Sequence, residues 1–336
     1  MATYSNNPQS ATPRVLRDRP LVSMFVFAYC QEGIVADAIQ GCFDQTYGPL
    51  EIILSDDCSS DGTWAVIEDL AAQYQGPHKI ITNRNWKNLG IAGHVSKVLQ
   101  MASGTLFLAC GGDDISMPKR AERLVDAWMT DPSTIKAISS AFHKINREGT
   151  VIGMVSASHS SSRAAEPTAM QVMKDRAYCL GAAAMWHRDL IDHFGKIPQG
   201  AHVEDASLLL RATLIGRACY VDEPLVKHRI GGLSNPTGTA IIDKYFEYSG
   251  EICRKRIGTL SAMMTDLSRF TGQDVHNLLR VGRRRLDVLE FENELNGLPL
   301  VQRRARIKIA IWKAITSGQM AYILKSLIYA FPETYL

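Results

Sequence analysis

The chain has 336 residues, 46% of them hydrophobic and 21% charged, the balance of an ordinary folded protein, which excludes a disordered or collagen-like chain. Lys and Arg number 37 against 34 Asp and Glu, so a net charge of +3 gives no bulk electrostatic reason to expect nucleic acid as a partner. The length fits about two domains, or one large α/β domain with an appendage.

The first 19 residues are polar and lack the apolar core of a signal peptide, so the sequence predicts a polar tail and a cytoplasmic location. Next, LVSMFVFAY (21–29) predicts a strand, because it is apolar throughout and preceded by Pro20. A helix follows over 33–45, with Ile34, Ala38, Ile39 and Cys42 on one face. EIILS (51–55), HKIIT (78–82) and TLFLAC (105–110) are further strands, separated by helices over 63–74 and about 91–101. Near-continuous apolar strands alternating with helices predict a mostly parallel, Rossmann-like sheet with helices on both faces.

From 135 to about 230 the pattern is less regular. A Ser-rich stretch, SASHSSSRAAEP (156–167), suits a mobile lid; a helix is predicted over 204–215 and a strand over 218–222. Beyond 240 the sequence reads as helix only, and there Lys and Arg number 15 against 10 acidic residues, a net of +5 that leaves −2 for the rest. RKR (254–256), RRR (283–285) and RRAR (303–306) carry the excess, and 307–331 sets lysines among apolar residues. Such a surface fits an anionic membrane face, a packing domain or a contact between copies of the chain. No stretch approaches the roughly 18 apolar residues of a spanning helix. The seven cysteines form no C-x-x-C pair and predict reduced thiols rather than a disulfide framework.

In a parallel sheet, ligands bind beyond the carboxyl ends of the strands. The groups there are Tyr29-Cys30-Gln31-Glu32, the run Asp56 to Gly62, Asn83-Arg84-Asn85, and Gly111-Gly112-Asp113-Asp114. Adjacent carboxylates at a strand end suit a hard cation, Mg²⁺ or Mn²⁺, although a solvated helix-capping turn accounts for the pair equally well. Asp61 or Thr63 suits a helix cap, whereas Asp57 has no such role to explain it. Glu204-Asp205 opens an apolar helix whose Arg211 lies nearly two turns on; the helix dipole favours acids there, and one of them could act as a general base.

Taken in order, PLVSMFVFAYCQ, DQTYGPLEIILSDDCSSDGT, NLG (88–90), GTLFLACGGDD, VEDASLLLR and DEPLVKHRIGGLS resemble the family-2 inverting glycosyltransferases over residues 20–236. The resemblance implies a GT-A fold, with 237–336 as a basic helical extension, and a nucleotide-sugar donor. It implies contacts to the donor from Tyr29, Glu32, Asp57, Asn88, Asp113 and Arg229, and ligation of Mn²⁺ or Mg²⁺ by Asp114 with His228. It further implies Asp205 as the base, with Glu204 beside it and Arg211 behind. The acceptor would be a hydroxyl of a glycan or lipid-linked molecule, in surface polysaccharide or lipopolysaccharide synthesis, at the inner face of the cytoplasmic membrane.

Three blocks depart from the family pattern. The usual P-T-Y-N is Phe27-Ala28-Tyr29-Cys30 here, the D-x-D element reads Gly112-Asp113-Asp114, and the late Y-R block is His228-Arg229. The Q-x-x-R-W signature of processive synthases is absent, which favours transfer of one sugar per acceptor. Two other readings compete. A non-catalytic nucleotide-binding relative would lack Asp205 or Asp114, and a nucleotidyltransferase would carry a Gly-rich phosphate loop after the first strand.

Overall fold

The computed structural model describes residues 19–156, 166–231, 242–272, 274–296, 298 and 302. The expected lid over 156–167 and the Lys-bearing tail over 307–331 lie almost wholly or wholly outside the described residues, as does the tail before Arg19.

One nine-stranded sheet organises the fold, in the order β3-β2-β1-β4-β8-β6-β9-β5, with β7 paired to β6 outside that path. Strands β1 (Val22–Ala28), β2 (Leu50–Asp56), β3 (Lys79–Arg84) and β4 (Leu106–Gly111) form its parallel half. They are joined by α1 (Val35–Phe43), α2 (Thr63–Gln73) and α3 (Gly90–Met101), within a few residues of the bounds read from periodicity. β1, β2 and β4 are apolar on both faces because both faces are covered. Met24 and Val26 meet Ala38, Ile39 and Cys42 of α1 and Leu124 of α4 (Arg120–Trp128). Phe25 and Phe107 meet Val95, Val98 and Leu99 of α3 and Leu208 of α7 (Glu204–Ile215).

Of the second half, only 218–222 was legible as a strand. β6 (Ile135–Ile145), β8 (Ala184–His187) and β9 (Arg217–Arg229) close the sheet, with β8 antiparallel to both β4 and β6. β9 extends well beyond the predicted 218–222, because it absorbs Pro224 where its pairing with β6 is irregular. β5 (Ile115–Ser116) leaves the Asp113-Asp114 turn and pairs antiparallel with β9, Ile115 opposite Lys227. β7 (Val151–Val155), α5 (Ala169–Met173) and α6 (Asp189–Asp192) complete this half.

Helices α8 (Ile242–Arg269) and α9 (Val275–Asn296) are built into the main core. Leu260, Met263 and Leu267 of α8 and Leu278, Leu286 and Leu289 of α9 join the cluster of Phe25, Phe107 and Leu208. All seven cysteines are free. Among the described residues no helix is long and apolar enough to cross a membrane.

Candidate active site

Loops at the carboxyl ends of β1, β2 and β3 are latched to one another by side chains. The Asp61 carboxylate caps α2, accepting from the Thr63 amide at 3.1 Å and its hydroxyl at 2.5 Å. It also accepts from the Glu32 amide at 3.2 Å, while the Glu32 carboxylate accepts from Gly62 N–H at 3.0 Å. Tyr29 stands beside this latch with 42% of its surface exposed.

Asp57 has a structural role that its spacing did not reveal. Its buried carboxylate accepts from the amides of Leu89, at 2.9 and 3.1 Å, and Gly90, at 3.0 Å, and so caps α3. Asn85 Nδ2 donates a further bond at 2.8 Å. Gly90, at φ +68°, takes the left-handed conformation that lets the loop turn into the helix. Asn88, exposed, accepts from the same Gly90 amide at 2.9 Å.

At the end of β4, Gly112 N–H donates to Phe27 O at 2.8 Å, which turns Asp113 and Asp114 across the sheet edge. A Cβ on Gly111 would lie 2.7 Å from Asp113 Oδ1 and 3.0 Å from Asp114 Oδ2. Both carboxylates thus crowd one glycine. Burial, with the Asp114 charge added, raises the Asp113 pKa to about 6. Asp114 is 2% exposed, and its Oδ1 lies 2.8 Å from His228 Nδ1 and accepts from Arg229 N–H at 3.0 Å. Burial opposes charge on His228, but the hydrogen bond and charge of Asp114 outweigh it and raise its pKa.

The pairing of β5 with β9 is what brings these residues together across 114 positions of sequence. Arg229 is nearly fully buried and spends its guanidinium on the protein. It donates to the carbonyls of Asp113, Asn146 and Arg147 and to Asp37 Oδ2. Its geometry is that of a clamp on the acidic turn, not of a side chain held open for a diphosphate.

Glu204 and Asp205 open α7 as expected. The Gly181 amide, in the turn Gly181–Ala183 before β8, donates to Asp205 Oδ2 at 3.2 Å. Burial raises Glu204 to about 7, with the Asp205 charge adding to the effect. Burial raises Asp205 to about 6 against the amides of Gly181 and Ala206. Both acids therefore titrate in the range useful to a base at neutral pH. β8 lies antiparallel to β4, so its first residues and the turn before it sit beside the end of β4. Buried Arg120 ties the two, donating to Ala109 O at 2.8 Å and Ala184 O at 3.2 Å. Sequence reasoning missed Arg120, whose only signal is a cation at a core position of an amphipathic helix.

Arg211 does not join the acid pair. It forms an ion pair with Asp266 of α8, both side chains fully buried, and donates to the carbonyls of Leu190, Gly195 and Lys196. The expected placement behind the base is corrected, because position 211 points into the helix interface rather than along the helix toward its start.

A divalent cation can be tested against this donor set. Among the described residues no cluster of three or more His, Cys, Asp or Glu is arranged to hold a metal. His228 has one ring nitrogen committed to Asp114, which leaves Nε2. Two crowded carboxylates, one with a raised pKa, do fit a hard cation held by one or two carboxylates and completed by phosphate oxygens.

The profile described as Glycosyl transferase family 2 matches residues 23–195, just over half of the chain. The chain belongs to this family. All but the first residue of its β1–β4 half, the Asp113-Asp114 turn and the Gly181 turn fall within the matched stretch. A putative glycosyltransferase, EpsE of Bacillus subtilis, is 36% identical over 106 residues, 32% of this chain and 37% of EpsE. Chondroitin synthase of Escherichia coli is 26% identical over 144 residues, 43% of this chain and 20% of that one. The chain thus spans about a third or less of the length of these curated relatives.

Among solved structures, S. aureus TarS 1-349 in complex with UDP superposes with a TM-score of 0.60 at 12% identity, over 94% of this chain and 92% of that one. The mannosyltransferase PcManGT of Pyrobaculum calidifontis, in complex with GDP-Man and Mn²⁺, gives 0.53 at 14% identity, over 93% and 87%. These likenesses establish the GT-A fold for this family-2 chain, its C-terminal helices included.

Proposed function

We propose that this family-2 chain is an inverting glycosyltransferase that moves one sugar from a nucleotide-sugar, a UDP-sugar first, to a hydroxyl of a glycan or lipid-linked acceptor in polysaccharide synthesis. One observation carries the reading: a half-buried acid pair with pKa values near 6 and 7 stands one strand away from a second, crowded acid pair at the sheet's carboxyl edge. The first suits removal of a proton from an acceptor, the second the binding of a diphosphate through a cation.

Asp113 and Asp114 would hold Mn²⁺ or Mg²⁺. When bound, such a cation stabilises the negative charge that develops on a departing nucleoside diphosphate. Asp114 is kept in place by His228 and the Arg229 amide, and Arg229 clamps the turn that carries it. Tyr29 is exposed for stacking on a nucleobase, while Glu32, Asp57 and Asn88 shape the donor side by fixing the loops around it.

Asp205, held by Gly181, takes the acceptor hydroxyl proton as that oxygen attacks the anomeric carbon, and Glu204 tunes it. Attack from the face opposite the diphosphate inverts the anomeric configuration. We take 20–236 as the GT-A glycosyltransferase domain, with α8 and α9 of the basic region 237–336 packed against it; the basic sequence of that region suits an anionic membrane surface or a second copy. The presence of both Asp114 and Asp205 disfavours a binding-only relative.

The test is release of nucleoside diphosphate from UDP-glucose, UDP-N-acetylglucosamine, UDP-galactose and GDP-mannose with Mn²⁺, and the anomeric configuration of the product by NMR. Metal-dependent release with inversion supports the proposal. Release with retention, or none from any donor, contradicts it.

A further inference from the structure

Contacts that the proposed chemistry does not use run from helix α8 to the four residues that lead into the acid pair. Thr259 is 7% exposed, and its hydroxyl accepts from His202 N–H at 3.1 Å and Val203 N–H at 3.4 Å. Val203 is the N-cap residue of α7, in extended conformation at φ −125°, and its side chain makes no capping hydrogen bond. The first backbone groups before Glu204 therefore depend on a hydroxyl supplied by another helix 56 positions away.

One residue earlier on α8, Gly258 allows the closest approach in this interface. A Cβ there would lie 2.2 Å from Gly200 O, a backbone atom that cannot swing aside as a side chain would. Gly200 itself sits at φ +93°, a left-handed conformation that favours glycine, although a Cβ there would meet open space. Arg211 pins the other end of the segment through Gly195 O, at 2.9 Å, and Lys196 O, at 3.1 Å, and is itself fixed by Asp266 of α8. The segment 195–203 is thus held at both ends from α8, directly by Thr259 and Gly258 and through Arg211 by Asp266.

We infer that Thr259 and Gly258 are positioning residues that set Glu204 and Asp205 for acceptor activation, and that α8 is part of the catalytic apparatus. The inference rests on the reading of Asp205 as the base. It separates the molecule's two tasks. The donor side is built from the ends of β1–β4 and the turn into β5, none of which Thr259 touches, whereas the base hangs from α8. Disturbing Thr259 therefore slows the chemical step and leaves donor binding alone. A displacement of the base by about 1 Å is enough to cost on the order of 100-fold in rate.

The experiment compares full-length wild type with Thr259→Val, Thr259→Ser and Gly258→Ala, using the four donors above with Mn²⁺ and following diphosphate release. Thr259→Val is isosteric but cannot accept the two bonds; Thr259→Ser keeps the hydroxyl. The expected result is a fall in kcat of about 10-fold or more for Thr259→Val, a larger fall for Gly258→Ala, donor KM within about twofold, and recovery in Thr259→Ser. A kcat equal to wild type in Thr259→Val, or donor KM rising in step with the loss of kcat, overturns the inference.

Amide hydrogen exchange of the peptide spanning 198–206 gives a readout free of turnover. Exchange should rise in Thr259→Val and not in Thr259→Ser, with the loops at 57–62 and 85–90 unchanged. Unchanged exchange at 198–206 refutes the inference. If wild type turns over none of the donors, the enzymatic proposal fails by itself and the role of Thr259 is decided by exchange.

Discussion

Arg211 Nε and Nη2 meet the two carboxylate oxygens of Asp266 at 2.7 and 3.0 Å, and neither side chain has any exposed surface. This two-point pair joins α7, which begins with the candidate base, to α8 of the C-terminal region. A charge buried this completely is stable only with its partner present.

Arg211→Ala should therefore lower stability by about 3–5 kcal/mol, because Asp266 is left charged and unpaired. Replacing both residues, Arg211→Met with Asp266→Leu, should recover part of that loss, since the carbonyls of Leu190, Gly195 and Lys196 still lose their donor. Urea unfolding of the single and double variants measures both quantities. A single variant within about 1 kcal/mol of wild type would show that the pair does not hold the helices together.

The pH dependence follows from the raised pKa values at the start of α7. With Asp205 near 6 and Glu204 near 7, kcat/KM should climb between about pH 5 and 8, above the ordinary carboxylate range near 4. Stability runs the other way. The folded chain holds these protons more tightly than the unfolded chain does, so stability falls as pH rises from about 4 to about 7. Glu204→Gln removes one such group and should raise Tm at pH 8 by roughly 2 °C, a difference that closes below about pH 4. A rate profile flat above about pH 5, or a gap in Tm independent of pH, contradicts this account.

Gly181 brings the β8 turn against the acids. A Cβ at this position would lie 2.8 Å from Glu204 Oε1 and 3.3 Å from Asp205 Cβ. The Glu204 side chain can move, so Gly181→Ala should fold, yet its carboxylates would stand displaced. We expect turnover to drop about 10-fold or more with nucleotide binding retained. Thermal shift with UDP alongside diphosphate release checks it, and loss of UDP binding would place Gly181 on the donor side instead.

Legibility in the sequence followed burial. Strands with both faces covered, such as VSMFVFA and LEIILSD, are continuous apolar runs and were found to within a residue or two. IKAISSAFHKI of β6 mixes Lys136, Ser139, Ser140 and His143 into its run, and it carries no clear period. Asp113, Asp114, Glu204 and Asp205 were legible because paired acids at element ends are chemically conspicuous. Gly181 was not legible as a partner of Asp205, nor Thr259 and Asp266 as supports of the segment before α7, because they meet only through the topology of β8 and α8; His228, expected with Asp114 as a metal ligand, hydrogen-bonds to it through the pairing of β5 with β9. Asp57 illustrates the same gap: its capping of α3 depends on a loop folding back 32 residues later.

The central claim is that the Asp113-Asp114 turn binds a nucleoside diphosphate through a divalent cation. It is tested most directly by the Tm of wild type and Asp114→Ala with UDP, GDP, dTDP or CMP, each in Mn²⁺, Mg²⁺ or EDTA. A nucleotide at about 100 times its Kd stabilises the fold by roughly 2.7 kcal/mol, a shift of several degrees. The account predicts a shift with one nucleoside diphosphate, present with metal, lost in EDTA and lost in Asp114→Ala. Equal shifts with and without metal, or a shift that survives Asp114→Ala, would contradict it.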